Sequence, residues 1–528
     1  MVNANRGTAL VHRWTAPVHR WTTPATAILW VAIAGLAVAW ISALVGPSYA
    51  LFRWIPNGYN EGWNAYWAEV AWRGGALYPA VDSPISNNYP PLSFYLVGGL
   101  GRLIGDNIFA GRLLALLSLI GVALNLFAWL RVCQVSRGVA AFGAALFLAA
   151  FSTYAPAYMT MNDPQLLAHA FMFSSATVLW RYDFSRKALA AAAVLMVVAG
   201  TIKHLLIALP LAVTAWIALY RRELLLRWLI TSVAVLAVAL VALYYTQGTL
   251  FFHDMASSRL YTRLLVETGL HRLWQSVGFL MVLSVVAGIA YASRVARPEV
   301  REQAAFVLLY LVLAVGVGAL AAGGKGVDRN AFFDFLIAVS LAVAVGVEHI
   351  RTHGLGRDAS VLASAVAAGC CAVLLVGAVG QWPARWQLLQ QTDAREAAAL
   401  QVISDIRRLG GGAAACEELS LCYWAGSAFK VDFFNYGQKL ATSALPAADC
   451  AETFTARSIS LVQVNSPQDD PRLSFRLPAS CNAAIARAYS LAIKNSHGRL
   501  MLAAHRSASD GRLLGAEAPL HARPIAGD

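Results

Sequence analysis

The chain is poor in charge. Only 13% of its 528 residues are Asp, Glu, Lys or Arg, against about 25% in an ordinary soluble domain. That shortage excludes a water-soluble protein of two or three domains, the reading that length alone would suggest. Apolar surface takes the place of charge: 58% of the residues are hydrophobic and the mean hydropathy is +0.57. Acids are outnumbered, 28 against 41 lysines and arginines, for a formal net charge of +13. The arginines punctuate the gaps between apolar runs instead of forming one basic face. That is the pattern of orientation signals facing anionic lipids, and it argues against nucleic acid as a partner. No cleavable leader is visible: the first apolar run is long, lacks a small-residue cleavage site and is expected to stay in the membrane as an anchor. No repeat relates the two halves, and no Cys-x-x-Cys or His partner has zinc spacing.

Long apolar runs are present in number. A spanning helix needs roughly 20 such residues, and Ala27–Val45, Leu113–Leu130, Leu229–Tyr245, Ala304–Ala321 and Ala359–Val379 each qualify. Arg6, Arg13 and Arg20, without a nearby acid, predict a cytoplasmic tail over 1–25. Short connections carrying Arg131 and Arg137, then Arg181, Arg186 and Lys187, then Arg221, Arg222 and Arg227, then Arg294, Arg297 and Arg301, then Arg351 and Arg357, predict the same side. Longer aromatic-rich loops at 47–108, 154–164, 246–272 and 323–330 fall on the other. The alternation predicts a polytopic α-helical membrane domain over 26–380 with about eleven transmembrane helices, the fifth and sixth interrupted around Gly200–His204. The expected setting is the inner (plasma) membrane, with the C-terminus outside.

Composition changes at Gln381–Arg385, and residues 381–528 read as a small soluble α/β domain on the outer, periplasmic side. Thr392–Leu409 reads as an amphipathic helix stopped by Gly410-Gly411-Gly412. Phe429–Phe434 and Ile459–Val464 read as strands, and Tyr489–Lys494 with Arg499–Ala504 as a hairpin about Asn495-Ser496-His497-Gly498. Cys416, Cys422, Cys450 and Cys481 all fall in this domain. An oxidising compartment permits disulfides, and the favoured pairing is Cys416–Cys422 with Cys450–Cys481.

The first outer loop carries the most chemistry: Tyr59-Asn60-Glu61-Gly62-Trp63, then Gly75-Ala76-Leu77-Tyr78, then Tyr89-Pro90-Pro91-Leu92. A carboxylate just past the first span lies at the membrane boundary, where an ionisable group is a functional candidate; the plain alternative is a solvated Glu beside interface tryptophans. Asp163-Pro164 opens the fourth span and equally suits a helix cap. Lys203 and His204 interrupt an apolar stretch, and a lysine at membrane depth needs a partner. Lys325, Asp328 and Arg329 lie in Gly323-Gly324-Lys325-Gly326-Val327-Asp328-Arg329, a glycine-rich turn with two cations that suits a phosphate. It is no P-loop, because no Ser or Thr follows Lys325; snorkelling interfacial cations are the alternative. Arg259, Arg263 and His253 are weaker candidates in another outer loop.

The Glu-Gly pair after the first span, the Gly-x-x-Tyr, the Tyr-Pro-Pro-Leu, the Asp-Pro and the Thr-x-Lys, in this order over roughly residues 25–350, resemble the GT-C glycosyltransferases. The resemblance is to the branch with aminoarabinose transferases, protein O-mannosyltransferases and rhizobial lipopolysaccharide sugar transferases. It implies a polyprenyl-phosphate-linked sugar donor and a lipid, glycan or protein acceptor on the outer face. Many relatives carry an acidic pair where this chain has Asn60-Glu61, so the resemblance implies Glu61 as the general base. It implies Asp163 as a second cavity acid and Lys203 as the donor-phosphate ligand; the glycine-rich turn adds Arg329 and Lys325 as expected phosphate contacts. Tyr89 stands where some relatives have a phosphate-binding lysine. No cofactor is required, although two acids in one cavity leave room for a divalent cation. A transporter or lipid flippase would also bury charge among apolar helices, but it commonly shows internal repeats. A non-catalytic scaffold presenting the outer domain would not need charged and aromatic residues converging on one face.

Overall fold

In a computed structural model, residues 23–257, 259–292, 298–353, 359–455, 458–465 and 473–503 are described. The basic tail with Arg6, Arg13 and Arg20, together with Arg294, Arg297, Arg357 and Ala504, lies outside them. The chain opens with α1 (Thr23–Tyr49), the short α2 (Tyr59–Trp72) and α3 (Leu92–Ile104), then α4 (Asn107–Val132), α5 (Arg137–Tyr154), α6 (Gln165–Arg181), α7 (Arg186–Ile202) and α8 (Ala208–Tyr220). It continues with α9 (Arg222–Gln247), α10 (Thr249–Met255), α11 (Arg263–Ala292), α12 (Pro298–Ala322), α13 (Phe333–His353) and α14 (Ala359–Gln390).

Setting aside α2, α3 and α10, eleven of these helices occupy the positions predicted for spans. Seven helices among the described residues are long and apolar enough to cross a membrane. The predicted interruption is the break between α7 and α8, where Lys203 takes an extended conformation. α13 is almost wholly enclosed by its neighbours, whereas α9 buries only Trp228. A helix apolar on all faces and bare on most of them is what lipid contact requires. α14 runs through the composition change to Gln390, and Trp382 and Trp386 stack on its exposed end with centroids 6.0 Å apart, as interfacial aromatics do.

The C-terminal domain contains α15 (Thr392–Gly410), β1 (Ala414–Cys416), α16 (Leu419–Trp424), α17 (Phe433–Ala441), α18 (Asp449–Thr455), β2 (Leu461–Val464), α19 (Ala479–Ala488), β3 (Tyr489–Asn495) and β4 (Gly498–Ala503). The sheet order is β1-β2-β4-β3, with β1 parallel to β2 and the other pairs antiparallel. α15 ends where predicted, on Gly411 in the left-handed region. The favoured cysteine pairing is also found: Cys416–Cys422 and Cys450–Cys481 are both disulfides. The expected strand over Phe429–Phe434 is not. The Asp432 carboxylate accepts from the Asn435 amide and starts α17 instead, while the Asp432 amide donates to Pro84 O in the first outer loop. A local cap and a contact with the loop thus replace a sheet ladder.

This domain is packed against the bundle. α2 shares one hydrophobic core with α15, α16 and β1, in which Trp63, Trp67, Leu77, Ile403, Leu421 and Trp424 are buried. Tyr66 stacks on Phe429 at 4.6 Å. The four expected outer loops meet at the same end: Asn57 Nδ2 donates to Ala157 O, the Tyr158 hydroxyl to Asp328, and Thr262 N to Gly323 O.

Candidate functional site

The site is built where α2 begins. Gly58, at φ +113, turns the chain into the helix, a conformation that L side chains rarely adopt. Glu61 follows on a face that is fully enclosed, and its carboxylate is saturated. Oε1 accepts from Arg112 Nε at 2.8 Å and from Asn162 N at 3.1 Å; Oε2 accepts from Arg112 Nη2 at 2.6 Å and from Asn57 N at 2.9 Å. Arg112, on α4, is equally engaged. Its remaining donors reach the carbonyls of Ala50, Arg53 and Ile55. The pair clamps the segment between α1 and α2 onto α4. The two carboxylate oxygens already hold four donors and no solvent reaches them, so the geometry argues against the expectation that Glu61 takes a proton from an acceptor. Gly62, next along, has a packing role: a Cβ there would lie 2.2 Å from Ser420 N, so the small residue lets α16 seat against α2.

One residue earlier, Asn60 turns the other way. Its Nδ2 lies 3.4 Å from Asp163 Oδ2. Asp163 is 5% exposed, and its Oδ1 accepts from Gln165 N at 2.9 Å at the start of α6. Oδ1 thus serves the start of α6, while Oδ2 faces Asn60. A crevice opens beside it among Asn64, Phe94, Leu114, Asn162 and Leu167. Glu61 and Asp163 are separated by the curvature of α2 and by Asn162, whose amide bonds to Glu61 while its carbonyl accepts from Asn64.

Lys203 reaches the same neighbourhood from the end of α7. Its ammonium is buried over the Tyr89 ring, 3.1 Å from the centroid, a cation–π contact. Asp163 attracts it and Arg259 repels it. The Tyr89 hydroxyl is held well above its ordinary range by burial first and by the Asp163 charge second, so it stays a donor at neutral pH. Tyr158 is raised likewise, by burial and then by Asp163 and Asp328. The sequence-predicted Asp163, Lys203 and Tyr89 thus come together, joined by Arg259, Asn60 and Tyr158.

The glycine-rich turn is different. The amides of Gly324, Lys325 and Val327 donate to Ala321 O, Leu260 O and Gly324 O, so these three are not an open anion nest. Lys325 is exposed. Arg329 donates to Tyr154 O and lies 5.7 Å from the Tyr154 ring. Among the described residues no group of three or more His, Cys, Asp or Glu could hold a metal ion. Arg112 is the residue that sequence reasoning missed. An arginine five residues into an apolar helix was the available signal, since such a charge requires a buried partner.

No family model matches the chain, and no curated protein matches it. Solved structures do. ArnT from Cupriavidus metallidurans in the apo state aligns with a TM-score of 0.57 at 12% identity, over 89% of this chain and 97% of that one. The same protein bound to undecaprenyl phosphate aligns with a TM-score of 0.55 at 14% identity, over the same 89% and 97%. An oligosaccharyltransferase from Archaeoglobus fulgidus aligns at 0.48 and 12% identity, over 88% of this chain and 72% of that one. The two ArnT likenesses show the fold, and it is of the class expected from the sequence: a polytopic α-helical membrane domain carrying a small α/β domain.

Proposed function

We propose that the chain is a membrane glycosyltransferase that moves a sugar from a polyprenyl-phosphate-linked donor to a hydroxyl-bearing lipid, glycan or protein acceptor. The active site in this reading is at the end of the bundle that carries the C-terminal domain, on the periplasmic face. One observation carries it: a buried carboxylate, Asp163, and a buried ammonium, Lys203, sit within each other's field, with Tyr89 against the cation. Glycosyl transfer from a phosphate needs those two charges, one to accept a proton and one to receive a leaving phosphate. The solved likeness with undecaprenyl phosphate bound adds support of a general kind.

In this mechanism the acceptor hydroxyl gives its proton to Asp163 Oδ2 as its oxygen bonds to C1 of the sugar. The bond from C1 to the phosphate oxygen breaks, and its electron pair leaves on the polyprenyl phosphate. Attack opposite the leaving group inverts the anomeric carbon. Gln165 N holds Oδ1 at 2.9 Å, while Oδ2, met by Asn60 Nδ2 at the longer 3.4 Å, takes the proton. Lys203, with Arg259 nearby, neutralises the leaving group, and the Tyr89 hydroxyl can donate to it. Lys325 and Arg329 have at most an outer role at the mouth. Glu61 acts through architecture, as the partner of Arg112.

The test is sugar transfer by the purified protein with a panel of polyprenyl-phosphate sugars. Asp163→Asn is expected to lower kcat by roughly 10²- to 10⁴-fold, the span of general-base contributions, while the protein still binds donor. Lys203→Met is expected to weaken donor saturation. Full turnover in Asp163→Asn would overturn the base, and labelled substrate crossing a vesicle without a covalent product would overturn the reaction.

A further inference from the structure

We infer that Phe434, at the start of α17 in the C-terminal domain, is a positioning residue for the donor phosphate, because it fixes Arg259 beside the Lys203–Tyr89 pair and so makes domain docking part of the phosphate site. The inference rests on the proposed function above. Arg259 lies in the irregular segment between α10 and α11, and its charge is felt at Lys203, His204 and Tyr89. What steadies it comes from the C-terminal domain. Its guanidinium lies 5.8 Å from the Phe434 ring centroid, and the next residue, Leu260, donates its amide to Gln438 Oε1 at 3.2 Å.

Phe434 is itself wedged by the other loops of the site. Tyr59 meets it edge-on at 6.2 Å, and the Phe434 amide donates to the Tyr59 hydroxyl at 3.1 Å. Gly326 closes the third side: at φ +86, a Cβ there would stand 2.1 Å from Phe434 Cζ. The neighbouring Phe433 is fully buried in the domain's own core, whereas Phe434 is only half-buried and turned away from that core toward the bundle. Its ring serves the junction and contributes little to the fold of the domain. An aromatic face within about 6 Å orients a guanidinium without consuming its donors, which leaves the Arg259 N–H groups for phosphate oxygens.

The test uses the full chain in nanodiscs and the binding of undecaprenyl phosphate. Phe434→Leu, which keeps bulk and removes the π face, and Gly326→Ala, which displaces the ring from the other side, should each weaken binding roughly tenfold. Phe434→Tyr should restore it. In an Arg259→Ala background, Phe434→Leu should add nothing, the mark of two residues acting as one unit. Undiminished binding in both Phe434→Leu and Gly326→Ala, with wild type binding normally, would overturn this inference alone. An equal further loss in the Arg259→Ala background would also overturn it, because Phe434 would then act elsewhere. Failure of the wild type to bind undecaprenyl phosphate would bring down the proposed function and this inference with it.

Discussion

Replacing Glu61 by Gln separates a structural acid from a catalytic one. Glutamine keeps the shape but turns one acceptor oxygen into a donor, in a pocket where four donors already point inward. Either Arg112 and Asn162 N or Arg112 and Asn57 N then face an amide NH₂. The Arg112 charge also loses its partner while only 2% exposed. Breaking a buried pair by removing one member costs about 3–5 kcal/mol, much of it the penalty on the charge left behind. The loss acts on the segment between α1 and α2, so the expected result is a lower unfolding temperature in detergent and faster proteolysis at residues 50–57. Activity should fall in step with the folded fraction, and the pH profile of the surviving enzyme should be unchanged. Glu61→Leu/Arg112→Leu should cost less than the sum of its single variants, because the orphaned charge is gone. A Glu61→Gln protein as stable as wild type, with kcat collapsed and the acidic limb of the pH profile lost, would refute this reasoning and restore Glu61 as the base.

Two further predictions concern the seam between the domains. Gly62→Ala puts a methyl group 2.2 Å from Ser420 N and 2.4 Å from Leu419 C, backbone atoms that cannot swing aside. It should cost about 1–3 kcal/mol as overpacking and expose the α14–α15 junction to protease; an unchanged cleavage pattern would contradict the close seating of α16. Glu418, half-buried with one carboxylate oxygen shielded and without a partner among the described residues, is pushed up from 4.5 to about 7, chiefly by burial, against the pull of Arg476 and with the help of the Glu61 and Glu417 charges. The folded state therefore favours the protonated form. Its contribution to stability is complete below about pH 4.5, falls as pH rises, and is gone above about 7. The change is on the order of 3 kcal/mol. Glu418→Gln should flatten that slope in thermal unfolding between pH 4.5 and 8, and an identical slope would exclude Glu418 as its source.

The bundle was legible because hydropathy and arginine spacing are local properties that the bilayer reads directly. The same holds for the break at Lys203, for the helix stop at Gly411 and for the hairpin about Gly498, each set by nearby residues. The roles inside the site were not legible in the same way. Asn60 and Glu61 are adjacent in sequence, but successive helical residues point about 100° apart. One therefore meets Asp163 and the other Arg112, and no spacing rule says which neighbour each will find. Phe429–Phe434 reads as a strand by composition, yet the partner of its backbone is Pro84, far away in sequence.

By itself the sequence determined the class of protein, the apolar helices of the bundle and their order, and the cysteines available for bridging. Burial and periodicity along the chain are enough for those. The tertiary structure alone decided which partner each buried charge meets. Glu61 is closed off by four donors, Asp163 keeps an oxygen toward Asn60, and Lys203 is set on Tyr89 with Arg259 beside it. The physical reason is that the partner of a buried charge is fixed by packing between distant segments, and that packing exists only once the chain has folded.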